Sequence, residues 1–331
     1  MAQGNDRVGH LDRVCTKIAP MAASNGHLRS YQTINGRGLA WDSIPMRLFQ
    51  KSKQLGTWDP QKFDFTQDRR DWLGLSDVER DFILRNVTLF QAGEEAVTLD
   101  LLPLVMCVAQ QGLIEDEIYL TSFLWEEAKH VEFFRRWLDE VADATDNLER
   151  YFTPSYAELF LHLLPDAMGA LKTDHSPAAQ VRASTTYNMI IEGVLAETGY
   201  HGFRQTLRAN GLMPGFLEGI ELTARDESRH IRYGIHFLNR LVSGNDENWN
   251  VMYATMNTLL APALGLIAEF WETYDENNGP FGQTMTTFID YASSQFDKRL
   301  KVLERDRGKS RADLETQAAS DLDLVEAGVE A

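Results

Sequence analysis

Two four-residue stretches carry the chemistry that this sequence can be seen to hold: Glu127-Ala-Lys-His130 and Glu227-Ser-Arg-His230. On a helix, residues three apart share a face, so each stretch aims one carboxylate and one imidazole at a common point. A single Glu-x-x-His is common on helices and means little. Here each one lies on a helix expected to face the core, where an unpaired carboxylate is costly unless it binds a partner or a metal. "TSFLWEEAKHVEFF" (residues 121–134) is mostly Leu, Trp and Phe, yet places Glu126, Glu127 and His130 within little more than one turn.

Two further acids complete a pattern. "LFQAGEEAVTLDLL" offers Glu94 or Glu95, and "YNMIIEGVLAETGYHGF" offers Glu192 or Glu197. Glu94 shares the inward face with Phe90, Val97 and Leu101, whereas Glu95 is turned about 100° toward the surface. Glu192 is preferred to Glu197, which would need a π-type widening to share its face and is read as an outer group. The order is then Glu, Glu-x-x-His, Glu, Glu-x-x-His, which suits a helical bundle holding two metal ions. Four carboxylates carry −4 and two divalent ions carry +4, so the reduced site is neutral and can be buried. Carboxylate-rich donors favour manganese or iron over thiophilic ions. Asp226 is read as the acceptor of a His130 Nδ1–H, fixing its tautomer. Tyr200, beyond Glu192, is a further candidate neighbour of the site.

The elements that must position these residues are helices. From residue 76 the apolar spacing is helical almost throughout, opened by Ser76 as N-cap with Glu79 at the capping-box position. Further long helices are expected near 113–144, 152–173, 177–209, 216–243, 247–275 and 280–304. β-branched alternation is nowhere sustained. Residues 1–37 read as a flexible arm, 38–304 as one helical domain, and 305–331 as a disordered tail. A net charge of −17 disfavours a nucleic-acid partner, and no run of 18 apolar residues suggests a membrane span. With two cysteines outside any CxxC and no secretory core, the expected location is the cytoplasm.

Asp226-Glu227-x-x-His230, Glu126-Glu127-x-x-His130 and the single acids Glu94 and Glu192 resemble the small-subunit superfamily of ribonucleotide reductase, over roughly residues 45–300. The resemblance implies an all-α, ferritin-like four-helix bundle with additional helices, and a homodimer. Tyrosyl-radical subunits carry a Tyr four residues after the first motif's His, where this chain has Phe134. They also use a Tyr in the C-terminal tail, and residues 305–331 hold none.

"FQAGEEAVTLDLLPL" is more similar to the superfamily's ligand-binding oxidase branch, including Glu94-x-x-Val97 and Tyr187 five residues before Glu192. That branch implies an O2-activating manganese/iron centre, a long-chain fatty acid at the metals, an electron donor of unknown identity and an ether cross-link between Tyr187 and Val97. It further implies manganese at Glu94, Glu127 and His130, iron at Glu192, Glu227 and His230, and Glu127 bridging. The alternatives are a radical-generating reductase subunit and a non-catalytic lipid carrier anchored by metal.

Overall fold

The computed structural model describes residues 31–144, 146–310 and 312–317. The chain divides into two units, Met1–Leu39 and Ala40–Ala331. The described part of the first holds a 3₁₀ turn, Gln32–Ile34, with the Arg37 side chain bonded to Gln32 at 2.8 Å. Residues 1–30 of the expected arm and 318–331 of the expected tail lie outside the described residues.

The second unit is helical, with no strand among the described residues. Its helices are α1 (Ile44–Leu55), α2 (Thr66–Gly74), α3 (Asp77–Asp100), α4 (Leu102–Gln110), α5 (Ile114–Glu140), α6 (Pro154–Ala157), α7 (Leu164–Gly169), α8 (Pro177–Ser184), α9 (Glu197–Asn210), α10 (Pro214–Val242), α11 (Asp246–Trp271) and α12 (Met285–Asp306). Two π-helical segments, Glu158–Leu163 and Thr185–Ala196, join α6 to α7 and α8 to α9.

Local chemistry sets the boundaries. Ser76 and Glu79 form the reciprocal capping box that starts α3. The expected continuous helix from 76 breaks at Leu101, because Pro103 lacks an N–H and its ring clashes with the preceding turn. The helical domain also extends beyond the 304 boundary read from sequence. Asp306 is buried against Asn239 and Lys309, and residues 312–317 form a helical turn that buries Leu314.

Four helical rods form the ferritin-like bundle: α3, α5, α10, and the run α8–π–α9. α3 packs on α5, and α10 packs on both α5 and the π segment. Below the site, Phe133, Phe134, Trp137, Phe203 and Phe216 interlock with ring centroids 4.9–5.9 Å apart. Burying each ring contributes roughly 1.5–3 kcal/mol. A side chain at Gly219 would strike the Phe133 ring at 2.0 Å, so glycine is what lets α10 approach α5 here.

α11 is long and apolar enough to cross a membrane by length and composition, with a mean hydropathy of 1.5 over an 18-residue stretch. It packs against the π segment, α8 and α12, as a member of the helical domain.

Candidate metal centre

All six expected ligands are brought together and buried. His130, His230 and Glu127 have no exposed surface, and Glu94, Glu192 and Glu227 are at most 5% exposed. They form two groups whose donor atoms lie within 4.8 Å of one another: Glu94, Glu127, His130 and Glu227, and Glu127, Glu192, Glu227 and His230. The sequence reading has Glu127 alone shared. The structure puts Glu227 in both groups as well, so two carboxylates can span two ions.

Both imidazoles turn Nδ1 inward. His130 Nδ1 lies 3.4 Å from Glu94 and Glu127 and 3.3 Å from Glu227. His230 Nδ1 lies 3.1 Å from Glu127, 3.3 Å from Glu227 and 3.7 Å from Glu192. Yet Glu94 Oε2, both Glu127 oxygens, His130 Nδ1 and Glu192 Oε1 make no satisfactory hydrogen bond. Buried orphan acceptors converging on shared space are what divalent ions would satisfy, and an oxygen-rich set with one imidazole per group suits manganese and iron. The residues present fit such a pair.

Electrostatics agree. Burial drives Glu94 up to about 8, against the opposing pull of His130. Burial also raises Glu192 strongly, reinforced by the Glu227 charge. Burial opposes ionisation of Glu127, but His130 and His230 outweigh it and hold its carboxyl at about 2. Both histidines are raised well above their ordinary value: burial opposes this, and the facing carboxylates overcome it. Without ions the cluster therefore retains extra protons, which metal binding would displace.

The outer nitrogens are held differently from expectation. His130 meets Asp226 through Nε2 at 3.4 Å, not through Nδ1. The reason is geometric: Nδ1 faces the Glu residues, leaving Nε2 to point out between α5 and α10. Asp226 also binds Lys129 Nζ (2.9 Å), Trp58 Nε1 (2.8 Å) and Arg229. His230 Nε2 meets Glu126 at 2.9 Å, and Glu126 in turn binds Arg229 at 2.6 Å. The sequence reads Glu126 as a surface or outer group without naming a partner, and the structure makes it the outer group of His230. The signal was present: an acid preceding each Glu-x-x-His, each supporting the other motif's half of the site. Phe123 stacks on His230 with centroids 3.6 Å apart.

Tyr200 Oη donates toward Glu94 (3.3 Å) and Glu227 (3.4 Å). Asn188, unnoticed in the sequence, donates to Glu192 Oε2 at 2.9 Å. Glu197 lies outside both donor groups, half-buried, with Arg299 and Arg204 as charged neighbours. Tyr187 is fully buried, and its hydroxyl donates to the Val97 carbonyl at 3.1 Å. In an α-helix, residues five apart are turned by about 140°. The i→i+5 bonding of Thr185–Ala196 removes most of that angle, bringing Tyr187 and Glu192 toward one side.

The family model for ribonucleotide reductase, small chain, matches residues 47–307. The chain belongs to the ribonucleotide reductase small-chain family. Among solved structures it is similar to R2-like ligand-binding oxidase with aerobically reconstituted Mn/Fe cofactor after a long soak, at 36% identity and a TM-score of 0.79. That match covers 84% of this chain and 98% of the other. A single-residue variant of the oxidase with the aerobically reconstituted cofactor matches equally, at 36% identity and 0.79, over 82% and 98%. Within the family this chain has Phe134 packed on Phe90, centroids 5.3 Å apart, so no hydroxyl stands at that position.

Proposed function

We propose that this protein is an O2-dependent dinuclear oxidase. It holds manganese at Glu94, Glu127 and His130 and iron at Glu192, Glu227 and His230, and binds a long-chain fatty acid beside them. The observation that carries this reading is a cavity of about 110 Å³. It is lined by the clustered carboxylates Glu94, Glu127, Glu192 and Glu227 and by apolar side chains including Leu89, Val97, Ile191, Ile267, Phe270 and Trp271. Its volume is several times what one water needs. An amphipathic acid fits both linings: carboxylate at the ions, acyl chain along the apolar wall.

When bound, the ion pair supplies one-electron redox chemistry and a binding place for O2. The chain's own residues do the rest. Glu127 and Glu227 span the two positions. Tyr200 orients Glu94 and Glu227, Asn188 orients Glu192, and Asp226 and Glu126 fix the imidazoles. The apolar wall excludes water from the oxidising site. Burial keeps Tyr187 a neutral phenol, its pKa raised far above the ordinary value. Cross-linking would break the Tyr187 O–H and the Val97 Cβ–H, form Oη–Cβ, and pass two electrons and two protons to O2.

Exposed Leu99, Leu102, Met106 and Trp125, on the neighbouring helices α3, α4 and α5, support pairing as a homodimer. The test is anaerobic loading of metal-free protein with Mn(II) and Fe(II), exposure to O2 and peptide mass spectrometry. The expected product joins the Val97 and Tyr187 peptides, two hydrogens lighter than their sum, only with metal and O2. Separate peptides with bound metal would favour a reductase subunit or lipid carrier.

A further inference from the structure

Glu192 reaches the cluster from the π-helical segment, and that wide turn has a visible clasp. At its C-terminal end, Glu197 N–H bonds to Glu192 O, five residues earlier, and to Val194 O, and not to Gly193 O, its α-helical acceptor. Gly193 O accepts instead from Arg299 Nε of α12, at 3.1 Å. A Cβ at position 193 would lie 2.9 Å from that same Nε and 2.9 Å from Asn188 O, so only glycine admits the guanidinium this closely. Arg299 is steadied by Gln295 at 3.3 Å, and Gln295 is itself buried. Burial lowers the Arg299 pKa, while the Glu197 and Glu192 charges oppose the loss of its proton. On the other side, Asn188 holds Glu192 Oε2 and is itself held by Ser184 at 2.8 Å.

We propose that Arg299 is a positioning residue for the Glu192 half of the metal site. By occupying Gly193 O it keeps segment Thr185–Ala196 in its wide register, and so keeps Glu192 aimed at the ions. Relaxation to α-helical bonding would return Gly193 O to Glu197 N–H and rotate Glu192 relative to Tyr187. The Glu94–Glu127–His130 half rests on regular helices and has no such dependence. The inference rests on the two-ion reading above.

The test uses the full chain carrying Arg299→Gln, Arg299→Lys or Gly193→Ala. Each is stripped of metal, reloaded anaerobically with Mn(II) and Fe(II), and measured for ions per chain and for the Mn(II) EPR signal. Arg299→Gln should weaken the second ion by about 10–100-fold and leave the signal of an isolated Mn(II), with the first ion retained. Gly193→Ala, which displaces the guanidinium by bulk, should do the same. Arg299→Lys, which keeps a cationic donor, should recover most of the loss. Two ions at wild-type affinity in Arg299→Gln, or equal weakening of both, would overturn the proposal. A wild-type chain that takes up no second ion would instead overturn the two-ion reading. If Arg299→Gln fails to fold, Arg299→Met, which keeps the apolar stem and removes the donor, decides by the same criteria.

Discussion

The two halves of the site have the same ligand types and are supported in different ways. On the His130 side, Glu94 and Glu127 stand on uninterrupted α-helices. The imidazole's outer nitrogen is 3.4 Å from Asp226, an acid already shared with Lys129, Trp58 and Arg229. Lys129 Nζ sits 4.1 Å above the half-buried Trp58 ring, so this side leads outward through a charged network. On the His230 side, Glu192 stands on a π turn, the outer nitrogen is 2.9 Å from Glu126, and Phe123 closes one ring face. The lesson is that repeating a motif does not repeat its environment. Two positions with similar donors acquire different rigidity and field.

The largest expected effect tests whether the halves are joined. Glu127→Ala or Glu227→Ala removes a carboxylate common to both groups, and should weaken the second ion by at least about 100-fold. Titration calorimetry and metal analysis would show it. Retention of two tight ions would mean the halves are independent.

Next, the outer acids should trade effects. Glu126→Gln should cost about 10–100-fold in affinity at the His230 side, with little loss of folding stability, because Arg229 keeps Asp226. Asp226→Asn should cost less affinity and more stability, on the order of 3–5 kcal/mol, since Lys129 is left buried without its counter-charge. Equal profiles for the two variants in metal binding and chemical denaturation would erase the distinction.

The third prediction concerns pH. Glu94, Glu192, His130 and His230 all have pKa values raised by folding in the metal-free cluster. A raised folded pKa stabilises at low pH and loses that contribution as pH rises from the unfolded value through the folded one. Glu94 alone spans 4.5 to about 8. The melting temperature of metal-free protein should therefore fall between about pH 5 and pH 9, by at least about 5 °C. Metal-loaded protein should not show this fall. Glu127, held at about 2, has the opposite sign and acts only below this range. A flat metal-free profile would mean that the carboxylates do not share protons as described.

The smallest effect is Trp58→Phe. It removes one hydrogen bond to Asp226 and should cost about 1 kcal/mol, or roughly 2 °C in melting temperature. Ion affinity at the His230 side should be unchanged, and a change there would show that Arg229, which binds both Asp226 and Glu126, transmits the loss.

Much of this site was legible in the residues because its code is local. Glu-x-x-His fixes a shared face whatever surrounds it, and the apolar neighbours of Glu94 and Glu192 mark them as inward. The Ser76–Glu79 cap was legible for the same reason. The pairing of Glu126 was not, because His230 lies 104 residues away in sequence. Which nitrogen of His130 faces inward was equally hidden, since ring orientation follows from all the carboxylates at once. The chain past residue 304 reads as charged and disordered, yet Asp306 is buried through Asn239 on another helix.

By itself, then, the sequence determined the all-α class, the identity of the six facing donors and the demand for positive charge among buried acids. These follow from helical periodicity and the cost of burying carboxylates. Only the tertiary structure decided that Glu227 spans both positions, that the Tyr187 hydroxyl reaches the Val97 carbonyl, and that Thr185–Ala196 adopts π bonding. Such features depend on which carbonyl is left for which donor when four rods pack together, and Arg299 meeting Gly193 O across two helices is not written in either segment alone.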